Sequence, residues 1–221
     1  MPNRYRSFAA AAALLGWLAL VLQLLLSIQL TMANGQGAWV GAWTYLGYFT
    51  ITTNVLAALA LTAAARGSRG ATSRFFGRPD VHTAIAMSIT IVSAIYNLLL
   101  RQLWHPQGWQ LAADVTLHDV MPALFLLHWW LAVPKQALRW PQVFQWQIYP
   151  AAYFAYVLAR GAVNGWYPYP FLDVTTLGYL RVVIDACVVL LAFIAVALLL
   201  VALGYWQVRR ATRDAELPAQ P

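Results

Sequence analysis

Two residues of this 221-residue sequence pair the chemistry of a nucleophile with that of a base. Thr50 stands in GYFTITTN (47–54) and His118 in LHDVMP (117–122), each within a long apolar segment. A hydroxyl is a poor nucleophile until a base removes its proton, and histidine is suited to that task. Asp114, one helical turn before His118, would orient the imidazole as the third member of a triad. Asp119 points about 100° away on a helix and is the weaker candidate.

Polar pairs four residues apart recur along the apolar segments of the chain. Residues at this spacing share one helix face, and ionisable groups that face lipid are costly. We therefore expect the pairs to point inward and to form one outward-opening polar cavity. The alternative is an interhelical hydrogen-bond network that only holds the helices together, at about 0.6 kcal/mol per bond. The pairs are Gln23 and Ser27, Thr50 and Asn54, Asn97 and Arg101, Asp114 and His118, Arg160 and Asn164, and Arg181 and Asp185.

The composition indicates that lipid is the solvent of the elements that position these residues. Hydrophobic residues make up 62% of the chain and charged residues 10%, whereas soluble domains carry about 25% charged residues. The net charge of +7 lies in short clusters between apolar runs, which is not the continuous basic stripe of a nucleic-acid-binding protein. The single cysteine, Cys187, provides neither a disulfide framework nor a thiolate metal site.

Six segments are long enough to cross a hydrocarbon core of about 30 Å. The first is too long for a signal peptide, and the fifth is the weakest because it contains Pro150 and Arg160. The sequence therefore predicts an all-α bundle of six transmembrane helices in a single domain, residues 1–213, followed by a disordered tail, residues 214–221. The predicted segments are 7–32, 44–65, 81–103, 114–133, 146–163 and 177–207.

Lysine and arginine predict the orientation of the bundle. Eleven of the 14 basic residues lie before the first segment, in alternate connections, or after the last segment. Basic residues collect on the cytoplasmic side of membrane proteins, so both termini are predicted to be cytoplasmic. Tryptophan and tyrosine collect at the opposite side. They are typical of an interfacial belt, but the run GWYPYPFLD (165–173) is denser than a belt requires and is expected to cap a site between the helices.

Four stretches of the chain carry a resemblance to known proteins: GYFTITTN (47–54), LWHPQGW (103–109), LHDVMP (117–122) and GWYPYPFLD (165–173). They resemble a bacterial family of predicted six-transmembrane proteins, which is similar to the androgen-induced FAR-17a-like proteins of animals. Those animal proteins are membrane threonine hydrolases that cleave fatty acid esters of hydroxy fatty acids. Their nucleophile follows an aromatic or aliphatic pair, as Thr50 follows Tyr48 and Phe49, and their histidine precedes a proline, as His118 precedes Pro122.

The resemblance implies acyl transfer in a multi-pass protein of the bacterial inner membrane. Thr50 would attack the carbonyl of a fatty-acyl ester, and His118 would take and return the proton. Asn54 and Asn97 are the candidate donors to the oxyanion.

The substrate contacts implied by the resemblance lie near the aromatic side of the membrane. Arg101, Arg160 or Arg181 would hold a fatty carboxylate, with Arg181 the most structural because Asp185 lies one turn away. The substrate-binding aromatic residues would come from the run at 165–173, and they are Trp166, Tyr167 and Tyr169.

Two other functions fit parts of the sequence. A haem protein would use the histidines near the third and fourth segments, but His118 and His128 lie about 15 Å apart along a helix, and four of the six segments contain no histidine. We therefore expect no cofactor and no metal site. A non-catalytic transporter or lipid-binding protein would use the same cavity, although the sequence lacks the broken helices and repeats common in transporters.

Overall fold

The computed structural model describes residues 3–67 and 70–216, and every regular element within those ranges is a helix. The predicted all-α class is therefore confirmed for this part of the chain. The helices are α1 (Asn3–Ala33), α2 (Ala38–Tyr45), α3 (Phe49–Arg66), α4 (Ala71–Phe76), α5 (Pro79–Ile95), α6 (Gly108–Val115), α7 (Met121–Ala132), α8 (Gln142–Trp146), α9 (Ile148–Asn164) and α10 (Val174–Glu216).

Within the described ranges, five helical stretches are long and apolar enough to cross a membrane. They correspond to five of the six predicted segments, and they are Arg4–Ala33, Phe49–Arg66, Pro79–Leu103, Gly108–Ala132 and Val174–Asp214. The sixth predicted segment, 146–163, forms α9, which has 17 residues. Its length of about 26 Å falls short of a hydrocarbon core of about 30 Å, and α9 is not among the five.

The predicted span at 44–65 begins five residues later in the structure, because the chain breaks between α2 and α3. Gly47 lies in this break, where an added Cβ would come within 2.5 Å of the Trp166 ring and 2.6 Å of Arg160 Nη1. Only glycine fits there without displacing a neighbour. The break makes Phe49 the first residue of α3 and places Thr50 in its first turn, where backbone N–H groups have no partner within the helix.

Two π-helical turns interrupt the helices that face Thr50. Tyr96–Leu100 continues α5, and Thr116–Val120 joins α6 to α7. A π turn fits one extra residue into a helix and is frequent at functional sites. Tyr96 and His118 belong to these two turns, so each has a direction that a regular helix would not give it.

Small residues allow α1 and α3 to pack closely. Ala9 and Ala12 of α1 and Ala57 and Ala60 of α3 are almost completely buried in one apolar core. Close packing of this kind holds helices together where lipid removes the hydrophobic drive for association. The core continues between α5, α7 and α10 through Phe125 and other large side chains. This packing holds in place the end of the bundle where α3 begins and α5 ends. We call it the site end.

The last helix differs from its prediction at both ends. Gly178 has φ 74° and ψ 158°, so the first turn of α10 is separated by a kink from the long helix that follows. At the other end, α10 continues to Glu216. Residues 214–216 of the predicted disordered tail are therefore helical, and residues 217–221 lie outside the described part of the chain.

Candidate active site

Thr50 and His118 lie side by side at the site end. The distance from Thr50 Oγ1 to His118 Nε2 is 3.2 Å, which is hydrogen-bonding distance. Thr50 is 8% exposed, and the side chain of His118 is 15% exposed. The hydroxyl and the imidazole are thus in contact and largely shielded from solvent, as a nucleophile and its base must be.

Asp114 holds the other nitrogen of the imidazole. His118 Nδ1 lies 2.9 Å from the backbone carbonyl oxygen of Asp114 and 3.3 Å from its carboxylate Oδ1. A carbonyl oxygen can only accept a hydrogen bond, so Nδ1 carries a proton. In the neutral ring Nε2 then has a lone pair, which can accept a hydrogen bond from the Thr50 hydroxyl.

Tyr96, which was not among the predicted site residues, contacts both His118 and Asp114. Its ring stacks on the imidazole with centroids 3.8 Å apart and an interplanar angle of 16°. Its hydroxyl donates to Asp114 Oδ2. Asp114 is 6% exposed. Its carboxylate accepts the hydrogen bond of Tyr96 and its backbone carbonyl faces His118 Nδ1, and these contacts hold the buried residue in place. The π turn that presents Tyr96 has no simple signature in the sequence.

Neither asparagine has the position predicted for an oxyanion donor. The Asn54 amide donates to the carbonyl of Thr50 at 2.9 Å and to that of Leu117 at 3.1 Å, so both of its donors are occupied. Asn54 instead links the backbone of Thr50 to that of Leu117, the residue before His118. The Asn97 amide donates to Ser93 O at 3.0 Å and to Asp119 Oδ1 at 2.8 Å. Asn97 therefore belongs to a different polar group.

Among the described residues, the polar pairs bond locally in separate groups and not around the single polar cavity that was expected. Arg101 pairs with Asp119 on an exposed surface, so Asp119 contacts Arg101 and Asn97. Gln110 Nε2 donates to Gln23 Oε1 at 3.0 Å. Arg181 is 65% exposed and pairs with Asp185 at 3.1 Å, as expected for an arginine whose role is structural. Arg101 also lies over the ring of Tyr96, with Cζ 5.3 Å from the ring centre.

A cavity of about 230 Å³ adjoins Thr50. Its walls come from α3, α5, α9, α10 and the segment 169–172, and almost all of the lining side chains are apolar, among them Ile91, Ile95, Phe154, Val183, Leu190 and Phe193. Thr50 and Tyr169 supply polar groups to this wall. The site therefore combines a hydroxyl–imidazole pair with a space suited to hydrocarbon.

Tyr169 lies closest to Thr50 among the predicted substrate-binding aromatic residues. Its oxygen accepts the backbone N–H of Phe49 at 3.0 Å, and its hydroxyl faces the Thr50 side chain. Burial raises the pKa of Tyr169 to about 12, so the phenol keeps its proton near neutral pH and can donate a hydrogen bond. Its ring also lines the cavity.

Trp166 and Tyr167 pack beside the cavity and do not line it. The Trp166 ring meets Tyr48 edge-on with centroids 5.6 Å apart, and Tyr167 covers Gly161, where an added Cβ would collide with the tyrosine ring. The aromatic run at 165–173 thus closes over the site end, and its members Tyr169, Phe171 and Leu172 reach the cavity.

Two of the other histidines, His82 and His128, form a pair of their own. His82 and His128 are buried with their ring centroids 5.2 Å apart. His82 lies fourteen residues before Tyr96, about 21 Å away along the helix, and so cannot share a ligand with His118.

Comparisons of the chain with protein-family models, with curated proteins and with solved structures give no match.

Proposed function

We propose that this chain is an integral membrane hydrolase that cleaves lipid esters, with Thr50 as the nucleophile and His118 as the base. The observation that carries the proposal is the chain of contacts from Thr50 through His118 to Asp114 beside an apolar cavity. A hydroxyl, an imidazole and a carboxylate in that order form the arrangement that activates a hydroxyl for acyl transfer.

The reaction proceeds in two stages. Thr50 Oγ forms a bond to the ester carbonyl carbon while its proton passes to His118 Nε2. The ester C–O bond then breaks, and the same proton goes to the leaving alkoxide. In the second stage His118 takes a proton from water, which attacks the acyl-threonine, releases the fatty acid and regenerates the Thr50 hydroxyl. Asp114 stabilises the imidazolium that forms in each stage.

Tyr169 is the proposed donor to the oxyanion, in place of the two asparagines. Its oxygen accepts the Phe49 N–H, which fixes the phenol next to the residue that precedes Thr50. Burial keeps the phenol protonated by raising its pKa. The N-terminus of α3 adds the positive end of a helix dipole at the same place. A donor that is fixed before the reaction begins gives the largest stabilisation of the developing charge.

The cavity defines the acyl half of the substrate. At about 230 Å³ it is smaller than a typical pocket for a drug-sized ligand, about 300–1,000 Å³. It suits one alkyl chain, with the ester carbonyl at Thr50 and the leaving alcohol directed away. Fatty acid esters of hydroxy fatty acids, the substrates of the FAR-17a-like hydrolases that the sequence resembles, have this form. We propose kinship with that family.

The proposal includes six membrane crossings with both termini cytoplasmic, in the inner membrane of a bacterium. Helix α9 makes the fifth crossing together with the short helix α8 that precedes it. This arrangement places the site end at the outer side of the membrane, as the distribution of arginine and lysine favours.

A turnover assay with a matched threonine tests the proposal. Thr50→Ala removes the nucleophile, whereas Thr52→Ala removes a hydroxyl whose contacts are Tyr149 and the Phe49 carbonyl. Purified Thr50→Ala should lose hydrolysis of a fatty-acyl ester, and Thr52→Ala should retain most of it. Lipid binding without turnover in the unmodified protein would favour a non-catalytic transporter or lipid-binding protein, for which the apolar cavity alone is sufficient.

A further inference from the structure

Arg160 occupies an enclosed position near the end of α9. It is 7% exposed, and its Cζ lies 4.5 Å from the ring centre of Trp43 and 4.6 Å from that of Trp166. Its Nη1 donates to the hydroxyl of Tyr156 at 3.0 Å. These aromatic side chains from α2, α9 and the 165–173 run hold the guanidinium in one place.

The charge of Arg160 has no acidic partner among the described residues. Arg78, Arg101 and Arg181 each pair with an aspartate, although all three are far more exposed than Arg160. The Nε atom of Arg160 is buried and has no hydrogen-bond partner. A buried cation is costly unless an anion or a full set of hydrogen bonds compensates it. Cation–π contacts offset part of that cost but leave the Nε–H donor unsatisfied.

We propose that Arg160, Trp43, Trp166 and Tyr156 form a binding site for the carboxylate of an amphiphilic ligand. The guanidinium presents a planar fork of donors that matches the two oxygens of a carboxylate. Since Nη1 is used by Tyr156, the edge that includes the unpartnered Nε is the one available for this fork. We expect the two indole rings beside the guanidinium to leave its edge as the open side, which favours a flat carboxylate over a tetrahedral phosphate.

The position of the site links it to the cavity. Tyr48 lies between them, with its ring 5.6 Å from that of Trp166 and 6.0 Å from that of Tyr169, which lines the cavity. Gly47 allows the chain to pass close to Arg160 Nη1. In the proposed complex, the carboxylate of an amphiphile lies at Arg160 and its chain runs past Tyr48 toward the cavity beside Thr50. The inference takes from the proposed function only that the ligand is a lipid, and it needs no hydrolysis.

Equilibrium binding in a Thr50→Ala background tests this site without catalysis. The protein is purified in a maltoside detergent, which has no phosphate, and displacement of labelled palmitate is measured with palmitate, methyl palmitate and hexadecyl phosphate. We expect palmitate to bind at least about tenfold more tightly than methyl palmitate, since a charge-assisted bidentate contact is lost in the ester. Arg160→Met should reduce that ratio to about threefold or less, and Arg181→Lys should leave it unchanged.

Several results would overturn the inference. They are equal affinity for acid and methyl ester in the parent protein, an unchanged ratio in Arg160→Met, and tighter binding of hexadecyl phosphate, which would assign the site to a phospholipid headgroup. If Arg160→Met does not fold, Arg160→Lys provides the test, because it keeps the charge, loses the fork and should still lower the ratio. Failure of the proposed function appears separately, as hydrolysis that survives Thr50→Ala.

Discussion

At the scale of single residues, the site depends on how His118 is held as much as on its contact with Thr50. The Asp114 carbonyl and carboxylate face one ring nitrogen, Tyr96 stacks on the ring, and Asn54 joins the backbones on either side. Each contact restricts the imidazole to the orientation in which Nε2 accepts the Thr50 proton. In the proposed reaction, a base held in this way would lose little entropy.

Thr50 and His118 should act as one unit. Thr50→Ala and His118→Ala are each expected to lower kcat by at least about 1,000-fold, and the double variant should be no more than about tenfold worse than either. Purified variants, with folding checked by circular dichroism, give these rates. Losses that multiply in the double variant would mean that the two residues act in separate steps.

Tyr169→Phe removes one hydroxyl and keeps the ring that lines the cavity. If the phenol donates to the oxyanion, kcat should fall by about 100-fold to 1,000-fold with little change in KM. Tyr149→Phe serves as the control, because the hydroxyl of Tyr149 bonds to Thr52 and Thr53. An increase in KM alone in Tyr169→Phe would assign the tyrosine to substrate binding, as the sequence resemblance implies.

At the scale of elements, the features that the sequence predicts differ in physical cause from those that it misses. Thr50 and His118 are paired in the sequence by their chemistry and by the resemblance, and the structure brings them within hydrogen-bonding distance. The role of Tyr96 and the loss of Asn97 from the site follow from π turns, which depend on one extra residue and on tertiary packing. Periodicity also misses the break at Gly47, because the apolar pattern continues across it.

Gly47→Ala tests that break. The added methyl group would meet the Trp166 ring at 2.5 Å and Arg160 Nη1 at 2.6 Å, and overpacking of this kind costs about 1–3 kcal/mol. We expect a lower Tm and weaker activity. Gly37→Ala is the matched control, since Gly37 has nothing within 4 Å of its added Cβ and an ordinary φ of −75°. Equal Tm values for the two variants would show that Gly47 is not tightly packed.

At the scale of the whole molecule, five helices long and apolar enough to cross a membrane follow directly from composition and hydropathy. The number of crossings depends on whether α9 spans the membrane, and the orientation depends on the charges of the loops. A reporter fused after Arg213 or within residues 66–78 should be cytoplasmic, and one near Gly35 or Gly108 should be external. A carboxyl terminus found outside would contradict the prediction of six crossings with both termini in the cytoplasm.

The most direct test of the central claim is to map the covalent adduct of a fluorophosphonate probe, which reacts with activated hydroxyl nucleophiles. Mass spectrometry of the labelled and digested protein should find the phosphonyl group on Thr50. Labelling should be lost in Thr50→Ala, reduced in His118→Ala and unchanged in Thr52→Ala. An adduct on another side chain, or labelling that persists in Thr50→Ala, would contradict the assignment of Thr50 as the nucleophile.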